Sequence, residues 1–402
     1  MTGTAMGTDV LAGARFAARI ARAAIREHRL RFTDRRALEA HQERLARRQI
    51  AWLAEHSPYT RERLSRQGLS PAQWRALEAI GKTEMMANFD SLNTQGLRLD
   101  DVLAVGRRAE QSRDFTPTMT GTDGRITVGL STGTSGAQGV FIVSDAERAA
   151  WAGCVLPHTV PDWPRGLLRA HRVAFFLRAE GGLYRSVEAA RMVFRFFDLL
   201  RPVEQLAAEL ADYGPTILVG PPSVLRAIAD AGGAVPVERA ISVAEVLEDD
   251  DRTVIESSFG PLVQVYQATE GVLALPCRRG QLHLNEAHLV VETEDLGDGL
   301  VSPIITDLRR RSQPMVRHRL NDALVLGGDC PCGQAARRVE RIVGRCDDAL
   351  LFEADGRTLR VWPDFVRAEL ALLGAGDYLV DQRSDGLHAR HAGSSPVPSA
   401  GP

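Results

Sequence analysis

The chain has 402 residues, 44% hydrophobic and 25% charged, with a formal net charge of −2. That size allows one large core or two to three domains, and the near-neutral charge removes the electrostatic case for nucleic acid. No apolar run approaches the roughly 18 residues of a membrane span; five cysteines, an odd number, argue for the reducing cytoplasm over a disulfide scaffold.

Residues 10–90 read as helical. "VLAGARFAARIARAAIREHRL" (10–30) sets apolar residues at helical spacing among arginines. It reads as an amphipathic helix packed on the body and continuous with the next helical segment, in preference to a transit peptide or a membrane-surface helix. Ser57 is a predicted N-cap with Pro58 in the first turn. From about residue 125, the apolar runs "RITVGLS", "RVAFFLR", "TILVG" and "VQVYQA" alternate with helical segments at 144–155, 202–213 and 222–231. This alternation predicts an α/β body with a largely parallel sheet. "LHLNEAHLVVETED" and "VSPIITDL" read as antiparallel strands after it. The last segment, from about Arg345, reads as strand, Asp355-Gly356 turn, strand, Pro363, a helix to about Leu373 and a hairpin near Asp385-Gly386. The tail "AGSSPVPSAGP" has the composition of disorder.

Between two of these elements lies "LSTGTSGAQGV" (130–140). Its glycines let backbone approach an anion, and Ser131, Thr132, Thr134 and Ser135 add hydroxyl donors around Gly133 and Gly136. Ser144 and Glu147 then form a capping-box pattern. The Walker ending Gly-Lys-Ser/Thr is absent, and the glycine spacing is not that of a dinucleotide fingerprint. A phosphate cradle and a plain turn both remain open on this segment alone. "VYQATEG" (265–271) puts Tyr266, Thr269 and Glu270 at a strand end, where a carboxylate beside a hydroxyl suits a hard cation such as Mg²⁺. "PMVRHRLNDAL" (314–324) brings Arg317, Arg319 and Asp322 close in sequence, and "GRCDD" (344–348) carries Arg345, Asp347 and Asp348. Taken singly, Glu270 reads as a solvated loop charge, Asp322 as a turn former beside Asn321 and Arg345 as a surface cation.

Cys277 and His283 flank one turn, and Cys330 and Cys332 lie in a second cluster about 50 residues on. Three thiols and one imidazole match a closed, structural Cys₃His zinc site; free thiols in turns are the alternative.

Taken together and in this order, the motifs resemble the adenylate-forming (ANL) superfamily, in the branch of phenylacetate–CoA ligase and the deazaflavin-coenzyme nucleotidyl synthetases. "YQATEG", "LHLNE", "RHRLNDAL" and "CPCG" are similar to segments of bacterial CapK-type adenylate-forming proteins, and the resemblance covers residues 50–390. It implies a large α/β N-terminal body over 1–345 (mostly helical over 1–95, α/β over 96–345), a shortened α+β lid over 346–391, and a disordered tail over 392–402. It implies that Ser131–Gly136, with Gly139, cover the phosphates of ATP, and that Ala244 and Glu245 in "VAEVLE" line the adenine and acyl pocket. "VGPPSVL" (219–225) is similar to the start of the family's pocket-wall helix. Tyr266 falls in the nucleotide site. Thr269 would contact the α-phosphate, Glu270 would hold Mg²⁺, Asp322 would grip the ribose hydroxyls and Arg345 would contact the nucleotide beside a pivot at Asp347 or Asp348. Related proteins in the branch are expected to carry the zinc site as well.

The implied activity is ATP-dependent activation of an aryl or hydrophobic carboxylic acid as an acyl-adenylate, with transfer to CoA, a carrier-protein thiol or an amine. AMP transfer to a hydroxyl of a small molecule, and a nucleotide- or acyl-binding homologue with little catalysis, are the alternatives. A homodimer is compatible with the resemblance; membrane and nucleic-acid partners are not expected. Two features depart from the family pattern. Gly139-Val140 stand where a basic residue usually ends the glycine loop, and Lys82 is the only lysine, so the lid lacks its usual one. Lys82 lies in "GKTEMMANFD", similar to a family segment expected far from the lid.

Overall fold

A computed structural model describes residues 3–130, 139–177, 191–354, 357–361, 378–383 and 386–391. Capping chemistry sets its helix starts. The Asp34 carboxylate accepts the Ala37 N–H at 2.8 Å and opens helix Arg35–His56. This cap breaks the expected continuous N-terminal helix, because an Asx side chain bonded to backbone competes with propagation; the preceding helix ends at Arg29. Ser57 and Ser144 cap as predicted. The Ser144–Glu147 box does a second job: the Glu147 carboxylate also accepts the N–H groups of Arg311 (2.6 Å) and Ser312 (2.9 Å), tying helix Asp145–Thr159 to a distant loop.

The central sheet is parallel throughout, in the order Met192–Asp198, His171–Leu177, Ile217–Gly220, Arg239–Ser242, Leu262–Gln264. Alternate residues serve opposite faces. Phe176, Leu218 and Ala240 pack on helices Val203–Tyr213, Pro222–Asp230 and Asp249–Phe259. Phe175, Val219 and Ile241 face helix Asp145–Thr159. Covering both faces is what lets these strands be apolar on both sides. The run beginning at Arg125 does not join this sheet over its described residues: Gly124–Leu130 pairs antiparallel with Thr118–Gly121 and Val140–Ser144. "VQVYQA" is likewise two strands, Leu262–Gln264 in the parallel sheet and Tyr266–Ala268 in a separate antiparallel one with Gly271–Pro276 and Leu282–Leu284. A further antiparallel sheet holds Leu289–Gly297, Leu300–Asp307, His318–Arg319, Asp322–Leu326 and Val339–Arg345.

Beyond Arg345, Leu350–Ala354 pairs with Arg357–Val361, and Tyr378–Arg383 with Gly386–His391, as the two predicted hairpins. The helix expected to reach Leu373 and the tail lie outside the described residues. Among the described residues, no helix is long and apolar enough to cross a membrane.

Candidate functional site

The chain leaves the parallel sheet at Gln264 and enters an antiparallel one at Tyr266, so the residues that follow stand at a junction of sheets. Ala268 and Gly271 pair, leaving Thr269 and Glu270 as a two-residue turn. That turn is held by a residue the sequence did not single out. The buried Arg310 donates through Nη1 to the carbonyls of Thr269 (2.9 Å) and Glu270 (2.8 Å). Its Nη2 reaches Gln313 Oε1 at 3.1 Å. Gln313 in turn accepts the Ile142 N–H at 3.0 Å and donates to the Val140 carbonyl at 3.2 Å. One Arg–Gln pair therefore fixes both the Glu270 turn and the strand leaving the glycine segment. Ser131, Thr132, Gly133, Thr134, Ser135 and Gly136 themselves lie outside the described residues.

Thr269 Oγ1 donates to Glu270 Oε2 at 2.9 Å, and His318 Nε2 lies 3.8 Å from Glu270 Oε1. His318 is buried, and desolvation holds its imidazole down at about 4; Glu270 opposes this, while Arg310 and Arg63 reinforce it. His318 forms a bridge with Ile80, two residues before Lys82. Lys82 thereby comes within electrostatic reach of Glu270 and Arg345, although the sequence did not assign it to the site. Burial lowers its pKa, Arg345 pushes the same way and Glu270 opposes. Asp322 sits opposite Arg345 in the antiparallel register and accepts a hydrogen bond from the Tyr266 hydroxyl. Burial raises the Asp322 pKa, with Glu270 and Asp348 adding to it and Tyr266 and Arg345 opposing. Burial and then Asp322 raise that of Tyr266. The fold thus gathers Tyr266, Thr269, Glu270, Asp322 and Arg345 from separate stretches, with Lys82 and His318 added. Asp347 accepts from Asn321 Nδ2 at 2.7 Å. Arg317 and Arg319 are spent on strand pairing with Glu292 (2.9 Å) and Glu294 (2.7 Å).

Tyr266 and Gln267 point to opposite sides of their strand. Gln267 lines a cavity of ≈ 120 Å³, walled by Trp151, Val155, Phe175, Phe194 and Ile241 between helix Asp145–Thr159 and the parallel sheet. Val243, also in that lining, leads into Ala244, whose φ of +70° is one that few side-chain-bearing residues adopt. Glu245 accepts the Ser223 hydroxyl at 2.6 Å and so ties this segment to helix Pro222–Asp230.

A separate cluster joins Cys277, His283, Cys330 and Cys332, their ligand atoms all within 4.8 Å of one another. Cys277 and Cys330 sulfurs are 4.0 Å apart, and Cys332 Sγ is 3.6 Å from His283 Nε2. The sulfur separation is twice that of a disulfide (about 2.05 Å) and near the edge of a thiolate tetrahedron at about 2.3 Å per bond. His283 Nδ1 bonds the Ala336 carbonyl at 2.8 Å, which aims Nε2 at the sulfurs. Gly280 and Gly333 take φ of +78° and +75°, folding each turn so that the N–H of Arg279 and of Gln334 reaches a sulfur at 3.4 Å. Burial opposes a thiolate at Cys277, yet the hydrogen bonds from His283, Arg279 and Gln281 outweigh it and bring the thiol to about 6.

Glu27, Cys154 and His288 form a second buried group. Its carboxylate is already engaged by imidazoles, His288 at 2.6 Å and His158 at 3.6 Å. Burial works against the charge, but the two imidazoles beside it prevail and lower the Glu27 pKa to about 2. The group anchors helix Gly3–Arg29 to the body.

The sequence matches no family model. It is 26% identical over 365 residues to a phenylacetate–coenzyme A ligase from Thermus thermophilus, covering 84% of this chain and 76% of that protein. Among solved structures it is similar to an open conformation of 2-hydroxyisobutyryl-CoA ligase in complex with 2-HIB-AMP and CoA (18% identity, TM-score 0.59, 87% of this chain and 84% of that one). The postadenylation state of that ligase with R3-HIB-AMP matches at 17% identity and TM-score 0.64, over 89% and 77% of the two chains.

Proposed function

We propose, for a chain homologous to phenylacetate–CoA ligase over most of its length and folded as an adenylate-forming ligase, that it joins a carboxylic acid to an acceptor through an acyl-adenylate, at the expense of ATP. The observation that carries this reading is the convergence of Glu270, Asp322, Arg345 and Lys82 on one junction beside an apolar cavity. In the first half-reaction the acid's carboxylate attacks the α-phosphorus of ATP and pyrophosphate leaves. Two anions must meet, so oriented cations and donors decide the barrier.

Lys82 and Arg345 bring positive charge to this encounter. A lysine held in the body thus serves where the lid carries none. Thr269 donates to the α-phosphate from a turn kept rigid by Arg310. Glu270 and the adjacent Thr269 hydroxyl are hard oxygen donors, the chemistry that suits Mg²⁺; the ion would neutralise phosphate charge. Asp322 takes the ribose hydroxyls, whose donated hydrogen bonds compensate a carboxylate that burial otherwise disfavours. Ser131, Thr132, Gly133, Thr134, Ser135 and Gly136 close over the phosphates. Ala244 and Glu245 line the side toward adenine and acyl group, and the cavity beside Gln267 receives an aryl or hydrophobic acyl group.

Residues 346–391 act as the small lid after a body of 1–345. The acceptor is CoA or a carrier-protein thiol, with an amine the remaining option. Cys277, His283, Cys330 and Cys332 fit a closed zinc site that holds two turns together, with no position left open for catalysis.

Pyrophosphate release over a panel of aryl, branched and linear acids tests the reading, with mass spectrometry of the adenylate. Acid-dependent release with an acyl-AMP product is expected. ATP consumption that yields an AMP ester of an alcohol, or none with any acid, overturns it.

A further inference from the structure

Helix Gly3–Arg29 has two unlike faces. On one, Ile20, Ala24 and Glu27 are buried. It lies so close to helix Asp145–Thr159 that a Cβ on Gly153 would meet the Ala24 nitrogen at 2.8 Å and the Ile20 oxygen at 2.9 Å. On the other face Arg15, Arg19, Arg22, Arg26 and Arg29 are all exposed. Their spacing of four, three, four and three residues confines them to about 80° of arc at about 100° per residue, along about 21 Å of helix. Among the described residues, none of the five has a carboxylate at ion-pair distance; Glu27, the acid within this span, turns inward to His288. In a chain of net charge −2, this is a local concentration of one sign.

We propose that this arginine stripe docks a small acidic carrier protein whose prosthetic thiol is the acceptor, an inference that rests on the ligase reading above. Three observations favour such a partner. Ile20 and Ala24, apolar residues that a lipid surface would engage, are already buried against the body. The stripe runs lengthwise along one helix face, suited to a partner presenting carboxylates along a helix of its own. It also lies one helix layer from the acyl cavity: Arg148, which lines that cavity, sits with its guanidinium 5.2 Å from the Phe16 ring, and Trp151 and Val155 of the same inner helix form the cavity wall. In the step served, the carrier thiol attacks the acyl carbon of the adenylate. A C–S bond forms, the bond to the AMP oxygen breaks, AMP leaves and the thiol proton passes to solvent.

The test uses the full chain, a phosphopantetheinylated acyl carrier protein of acidic composition as probe, and free CoA as the competing acceptor. The wild type should bind the carrier with an affinity that falls about tenfold between 50 and 200 mM salt. Arg19→Glu with Arg22→Glu should cut carrier binding and acyl transfer to it at least tenfold, leaving acid-dependent pyrophosphate release and transfer to CoA unchanged. Arg19→Lys with Arg22→Lys should keep binding within about threefold. Absence of carrier binding, or binding indifferent to the charge reversal, overturns the proposal. Equal salt-sensitive binding to phosphatidylserine-containing vesicles or to duplex DNA overturns it too, reassigning the stripe. Carrier binding is read without turnover, so a failed pyrophosphate assay sinks the ligase reading separately.

Discussion

Two of the polar clusters among the described residues invite comparison, the Cys277/His283/Cys330/Cys332 group and the one around Glu270. In the Cys277/His283/Cys330/Cys332 knot the groups answer one another: backbone N–H groups reach the sulfurs and a carbonyl accepts from the remaining imidazole nitrogen. Around Glu270 the groups are displaced from their ordinary protonation: Asp322 and Tyr266 upward, Lys82 and His318 downward, each chiefly by burial. His318 approaches Glu270 only to 3.8 Å, beyond hydrogen-bond distance. A cluster whose four ligand atoms converge on one point leaves no open position for a substrate and belongs to the scaffold. The groups around Glu270 instead stand at a junction of sheets beside an apolar cavity, where a ligand can complete them.

The sharpest break would come from Glu270→Gln. It should lower acid-dependent pyrophosphate release by roughly 10²–10³-fold while urea unfolding stays unchanged; an unaltered rate would erase the distinction. Cys330→Ser should do the reverse. Zinc content, measured on the purified chain, should drop from about one per molecule, with a loss of several kcal/mol in stability and any activity lost only along with the fold. A chain that purifies without metal yet shows full stability would remove the scaffold half of the contrast. Lys82→Met should slow adenylate formation roughly 10–100-fold, and Lys82→Arg should restore part of it, since arginine keeps the charge but not the compact ammonium. Equal rates for both variants and the wild type would take Lys82 out of the site.

A further expected effect concerns pH. His318 has a folded-state pKa of about 4, below its ordinary value of 6.5. As pH falls from 6.5, the unfolded chain takes up this proton first, so stability declines until about pH 4. The decline from this group is on the order of 3 kcal/mol. Urea midpoints across this window should therefore fall more steeply in the wild type than in His318→Asn.

Much of this was readable in one dimension. Ser57 and Ser144 cap where their local pattern says, and the two Cys/His segments meet as their residue types foretell. Other features were hidden for identifiable reasons. Arg310 sits in "LRRRS", which reads as solvated charge; it is buried because two turn carbonyls need a donor there. The strands Met192–Asp198 and Arg239–Ser242 carry arginines that blur the apolar signal of a sheet interior. Gly124–Leu130 looked like a parallel strand because a short apolar run is silent about its partner's direction.

The sequence by itself determined the helix caps, the apolar alternation of a covered sheet and the residue types for carboxylate, hydroxyl and thiol chemistry, since each depends on neighbours a few positions away. Only the tertiary structure decided that Lys82 joins residues 270, 322 and 345, that Arg317 and Arg319 do not, and that five arginines of one helix face outward. Those outcomes turn on which strands pair and which helix face is buried. Such choices are made by long-range packing, which minimises exposed apolar surface and leaves few buried charges unmatched.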